Sequence, residues 1–168
     1  MHLLRVAHIV GGVFWVGAVL FLAGFLLPGL RAAGPSAGPV MQQLVQVRRL
    51  PLWLMGAAIV TVLSGIALYW HDSAGFTSDW LASGQGRVFG LGGVLGLIAV
   101  VLGMTVNSPA GKQLGALTER LQAAGRPPTP EELAAMQALQ RKLSRATTWA
   151  AVLLVLATTA MAVARYVS

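Results

Sequence analysis

Residues 3–27 read LLRVAHIVGGVFWVGAVLFLAGFLL, an apolar run interrupted only by Arg5 and His8. A helix that crosses a bilayer needs about 20 mostly apolar residues. This run therefore predicts a spanning helix. Three further stretches, 52–70, 88–106 and 147–167, pass the same test. The fold class expected is all-α: an integral membrane four-helix bundle forming one domain over residues 1–168. The first run is too long for a signal peptide, lacks a basic start, and ends at Pro28-Gly29 without a small-x-small cleavage pattern. It is read as a retained helix.

Composition agrees. The chain is 56% hydrophobic and 10% charged, with mean hydropathy +0.72. Soluble domains carry about 25% charged residues. The absence of cysteine excludes disulfides, thiolate metal sites and iron–sulfur clusters. The net charge of +7 does not point to nucleic acid, because the basic residues flank helix ends and form no patch with interleaved aromatics.

The connections differ in character. The first, 28–51, is rich in Gly, Pro and Ala, with a short helical patch expected around 41–49. The second, 71–86, is short and polar, with Trp80 and Leu81 as an interfacial anchor. The third, 107–146, is the longest. Gly125-Arg126-Pro127-Pro128 breaks it, and Thr129-Pro130-Glu131-Glu132 then carries a helix-start signature: a Thr cap, Pro at the first helical position, and Glu three residues after the cap. No breaker follows before Tyr166, so one long helix is expected from Pro130 through the membrane. Helix three is expected to run past Pro109 to Ala124. The two extensions would form a cytoplasmic helical hairpin, 109–146, stitched by Leu114, Leu117, Leu121, Leu133, Met136, Leu139 and Leu143.

Nine of the twelve basic residues (Arg31, Arg48, Arg49, Lys112, Arg120, Arg126, Arg141, Lys142 and Arg145) lie in connections one and three. The positive-inside rule puts those connections in the cytoplasm and both termini outside, as in a bacterial inner membrane. Trp53, Trp70, Trp80, Trp149 and Tyr166 read as interfacial belts. Trp15, mid-helix, calls for a packing or cofactor role.

Polar groups inside a membrane are costly, so each is a candidate for function. The inventory is Arg5, His8, Thr61, Ser64, Thr105, Thr158 and Thr159, with His71 at a boundary. No carboxylate falls within a spanning run. Carboxylate proton relays, paired-carboxylate hydrolysis and acidic ion sites are thereby excluded, and no Ser/His/Asp arrangement or phosphate loop is present. Antiparallel topology sends His8 and His71 to the same face. Two imidazoles from two helices are a means of holding b-type haem. Candidate cofactor-binding residues are therefore His8, His71, Arg5 and Gly12, with His8 and His71 as haem-iron ligands, Arg5 near a propionate, and Gly11 and Gly12 admitting a flat ring. The competing reading is structural: His8 bonded to a neighbouring helix, and His71 an ordinary interfacial residue. Glycines at positions 90, 92, 93, 96 and 103 of helix three predict close helix packing, internal or with another protein.

His8, Trp15-Val16-Gly17, Phe21 and the exit Leu27-Pro28-Gly29-Leu30-Arg31 resemble the first helix of the copper-resistance-D and HemJ-like group of small bacterial membrane proteins. The four-helix layout and Met161-Ala162-Val163-Ala164-Arg165-Tyr166 are similar too, closest to that group's uncharacterised branch. The resemblance implies that His8 matches the first-helix histidine of the haem-binding HemJ oxidases. That branch carries a lysine and a further histidine in its third helix. Here the third helix opens Arg87-Val88-Phe89-Gly90 with neither, and the oxidase activity is not carried over.

The function expected is a non-catalytic accessory or structural subunit of a larger membrane complex, with electron transfer as one setting. The alternative is a b-type haem-binding redox membrane protein. The partners expected are the lipid bilayer and other membrane subunits or a second copy, with no nucleic acid. The cofactor is haem b or none.

Overall fold

The computed structural model describes residues 1–167, and the side chains of all but 35 and 36. It is helical throughout, with no strand among the described residues. Helix α1 runs His2–Ala33, a short α2 spans Gly38–Gln42, α3 spans Leu50–Asp72, α4 spans Ser78–Ala82, α5 runs Gly84–Ala124 and α6 runs Pro130–Tyr166. Four of these, α1, α3, α5 and α6, are long and apolar enough to cross a membrane. The chain is a multi-pass membrane protein by that measure.

Two prolines lie within long helices without ending them, Pro28 against expectation and Pro109 in line with it. Proline lacks an N–H and its ring crowds the carbonyl four residues earlier. Before Pro28 the helix widens into a π turn, Leu22–Leu26, in which the Leu27 N–H reaches back to the Leu22 carbonyl. Before Pro109 the same device recurs at Gly103–Asn107, with the Ser108 N–H on the Gly103 carbonyl. The wider turn absorbs an extra residue and makes room for the ring. So α1 continues to Ala33, beyond the expected exit at Leu27, and α5 continues to Ala124. A third π turn, Gln43–Val47, precedes Pro51. There the chain does break, because Arg49 turns left-handed (φ 51°) and Pro51 falls in the first turn of α3.

Helix α1 packs on α3, and α5 on α6, each pair antiparallel; α6 also touches α1. The core where all four converge is Trp15 and Val19 from α1, Ala58 from α3, Ala99 from α5, and Ala150, Ala151 and Leu154 from α6. Alanine dominates because backbones in lipid gain by close approach, not by burying leucine from water. Along α6 the buried positions Ala146, Thr147, Ala150, Ala151, Leu154 and Ala157 recur every three or four residues, so one small-residue stripe faces inward. Trp15, 7% exposed, fills the space this stripe leaves. Packing therefore accounts for it.

Between α3 and α5 the chain is tightly folded. Ser73 is fully buried; its Oγ donates to the Trp70 carbonyl (3.1 Å) and accepts from the Phe76 N–H (2.9 Å). Trp70 meets Phe76 edge-on, and Trp80 meets Tyr69 edge-on, each with centroids 4.9 Å apart. Trp80 is thus bound into the protein as well as placed near the helix ends.

The predicted cap opens α6. The Thr129 hydroxyl accepts from the Glu132 N–H at 3.2 Å, and Glu132 accepts from the Thr129 N–H at 2.7 Å. Gly125, left-handed at φ 59°, closes α5. The two extensions lie against each other with Leu114, Leu117, Leu121, Met136, Leu139 and Leu143 half-buried, while Leu133 is exposed.

Candidate functional site

The site builds from the seam between α1 and α3. His8 is half-buried, and its Nδ1 lies 2.7 Å from the Thr61 carbonyl oxygen and 3.5 Å from the Ser64 hydroxyl. A carbonyl only accepts, so Nδ1 carries the proton. Nε2 is then the free lone pair. The Ser64 hydroxyl itself donates to the carbonyls of Val60 and Thr61.

Glycine makes this contact. A Cβ on Gly65 would lie 2.7 Å from His8 Cε1 and 3.0 Å from Nδ1. The imidazole therefore rests directly on the backbone of α3. One turn deeper, a Cβ on Gly11 would meet the Thr61 hydroxyl at 2.8 Å, and one on Gly12 would touch the Thr61 methyl at 3.6 Å. The flat faces at Gly11 and Gly12 are thus taken up by Thr61 of the neighbouring helix.

The remaining predicted residues gather elsewhere. His71 is exposed, with Nδ1 3.2 Å from an Asp72 carboxylate oxygen, and Arg5 reaches the same oxygen at 3.8 Å. Asp72 therefore joins Arg5 and His71 into one cluster at the end of α3. His8 stands apart from it. His71 is six residues beyond Gly65, about 9 Å along the axis at 1.5 Å per residue. Two axial imidazoles need nitrogens about 4 Å apart, at about 2 Å per metal–nitrogen bond. His8 Nε2 would be the ligand nitrogen the seam offers, while His71 pairs with Asp72 at the end of α3.

Two other intramembrane hydroxyls turn back on their own helices. Thr105 donates to the Val101 carbonyl at 2.7 Å, and Thr158 to the Leu154 carbonyl at 2.8 Å. Such i−4 bonds satisfy the group locally. No group of three or more His, Cys, Asp or Glu side chains suited to a metal ion occurs among the described residues. Tyr69, which sequence reasoning passed over, donates to the Gly86 carbonyl at 3.0 Å and ties α3 to the start of α5. Its signal was a tyrosine one position before the predicted interfacial Trp70.

The glycines of α5 divide. A Cβ on Gly92 would meet the Met161 side chain at 3.0 Å and the Ala157 carbonyl at 3.1 Å, so Gly92 is internal. Gly90 lies against the Tyr69 hydroxyl. Gly93, Gly96 and Gly103 meet nothing within 4 Å.

No protein-family model matches the chain, and no curated protein or solved structure matches it either.

Proposed function

We propose that this chain is a non-catalytic subunit of a larger membrane assembly, seated through the open glycine face of α5. The observation that carries it is the contrast between Gly92, filled from α6, and Gly93, Gly96 and Gly103, which meet no side chain of their own protein. At 100° per residue these three fall within an arc of about 80°. A glycine row on one face of a spanning helix suits the close approach of another helix. The interior supports the same reading, because His8 is the one titratable group deep in the apolar runs and its Nδ1 is spent on the bundle itself. The nine basic residues gathered near one end support an orientation with that end, and the helical extensions of α5 and α6, in the cytoplasm.

The test is Gly96→Leu. Because nothing of this chain lies within 4 Å of its Cβ position, the variant keeps its own thermal unfolding but loses a stoichiometric partner on gentle extraction and size exclusion. The chain has no cysteine, so Gly93→Cys crosslinking separates a second copy from a different protein. Wild-type protein that always migrates alone, together with no crosslink from Gly93→Cys, overturns the reading.

A second reading, a haem-linked redox subunit, is favoured by one observation: the Thr61 carbonyl fixes the His8 ring and leaves Nε2 as an acceptor, the usual support for a metal-bound imidazole. His8 would hold the iron, and the group would supply electron transfer. An absorption band in the purified protein that vanishes in His8→Phe supports it. A colourless, folded preparation sinks it.

A further inference from the structure

The end of the bundle that holds the first and third connections carries nine basic side chains against three carboxylates. Two of those carboxylates are engaged, Glu132 by Arg126 and Glu119 by Gln46. Arg31 and Arg141 share an open cleft of about 280 Å³ between the last turns of α1 and the stretch of α6 at Gln137 and Gln140. Arg31 Nη2 donates to the Gln140 carbonyl at 3.2 Å, which holds the guanidinium at the cleft with most of its donors unspent. Neither arginine has an ion-pair partner among the described residues.

Depth decides what meets them. Arg31 lies four residues past the apolar run ending at Leu27, about 6 Å along a helix, and Arg141 lies six residues before Thr147, about 9 Å. The polar layer of a bilayer occupies roughly the 5–8 Å outside each face of the hydrocarbon. Arg31 therefore stands at the level of lipid phosphates, Arg141 leaves its helix about 1 Å outside that layer and lines the same cleft, and Leu30 lines it on the apolar side.

We propose that this cleft binds the phosphate of one anionic phospholipid, with Arg31 and Arg141 as its two donors and Gln137 at its edge. Paired guanidiniums match phosphate oxygens and disfavour a headgroup that brings its own cation, so the site selects an anionic over a zwitterionic lipid. It stands independently of any partner protein.

The experiment uses the full chain in detergent micelles, titrated with dioctanoyl phosphatidylglycerol, dioctanoyl phosphatidylcholine or inorganic phosphate and followed by native mass spectrometry and thermal unfolding. One equivalent of phosphatidylglycerol binds saturably, and phosphatidylcholine binds at least about tenfold more weakly. Losing one charged hydrogen-bonding partner weakens phosphatidylglycerol by about tenfold or more in Arg31→Gln and in Arg141→Gln. Arg120→Gln, away from the cleft on the extension of α5, leaves it unchanged. Should Arg31→Gln misfold through loss of its Gln140 bond, Arg141→Gln, which makes no such bond, carries the test alone. Equal affinity for the two lipids, or full affinity in Arg141→Gln, overturns the proposal. An equal loss in Arg120→Gln overturns it too, by showing a diffuse field in place of a site. Inorganic phosphate that displaces the lipid at matching concentration shows a free-anion site and overturns the lipid assignment.

Discussion

The two helix pairs reach the same closeness by different chemistry. Helices α1 and α3 meet through a polar seam, in which His8 lies on Gly65 and binds the Thr61 carbonyl while Gly11 takes the Thr61 hydroxyl. Helices α5 and α6 meet through small apolar residues, with Gly92 against Ala157 and Met161 and no side-chain hydrogen bond between their apolar runs among the described residues. In lipid both solutions work, because close van der Waals packing does most of the joining and an interhelical hydrogen bond adds only about 0.6–2 kcal/mol. The difference is directional. A hydrogen bond to one carbonyl fixes the register of α1 against α3, whereas a small-residue stripe tolerates sliding.

The sharpest way to break this contrast is Gly65→Val. The new side chain displaces a ring held on the Thr61 carbonyl, so overpacking adds to the lost His8 bond, and stability in micelles should fall by about 3 kcal/mol. Gly92→Val should cost less, about 2 kcal/mol, since the Met161 side chain yields even though the Ala157 carbonyl cannot. Equal costs would mean that the two seams are energetically alike. His8→Phe keeps the flat ring and removes the nitrogen. It should lower stability by about 1 kcal/mol, and cysteine crosslinks placed across α1 and α3 should spread over neighbouring registers. A single sharp register in that variant would dissolve the distinction.

The smallest effect lies where the α5–α6 pair leaves the apolar runs. There Arg126 grips Glu132 through two hydrogen bonds of 2.8 and 2.9 Å, and together with the Thr129 cap this lowers the Glu132 carboxyl from 4.5 to about 2. A depressed carboxyl stabilises the fold fully above its unfolded value, and that contribution fades as pH falls from about 4.5 towards 2. Protection of the Glu132 and Leu133 amides, taken against the intrinsic exchange rate at each pH, should fall over that window, and Glu132→Gln should flatten the response. Exchange within α3 should not follow it.

Much of the fold is legible in the sequence, because an apolar run of 20 residues has few alternatives and Thr129-Pro130-Glu131-Glu132 carries its own capping chemistry. Pro28 was misleading. Proline reads as a stop, yet the π turn ahead of it depends on backbone register and leaves no compositional trace. His8 stood out as a polar group in an apolar run. Its partners did not, for Thr61 and Gly65 are unremarkable residues of a membrane helix until α1 is laid beside them. The offset of His8 from His71 was legible as depth, since His8 lies about five residues inside its apolar run and His71 at the end of its own, and Gly65 beneath the imidazole shows where on α3 His8 rests. The division among the α5 glycines was invisible, since spacing pairs Gly92 with Gly96 and only the path of α6 tells them apart.

The π turns at Leu22–Leu26 and Gly103–Asn107 act as phase shifters. Each stores one surplus residue, and one residue is 100° of helical rotation. Everything beyond Gly103–Asn107, including the leucines at 114, 117 and 121, is rotated by that angle relative to an uninterrupted α-helix. Removing a single residue within the turn would close it to an ordinary α-helix and leave the extension facing as it does now, whereas removing one beyond it, with the π turn kept, would bring Gly115, Thr118 and Gln122 to the positions the leucines now hold. The spanning face and the extension face of one helix are thus indexed separately, and a change in either can be absorbed without resetting the other.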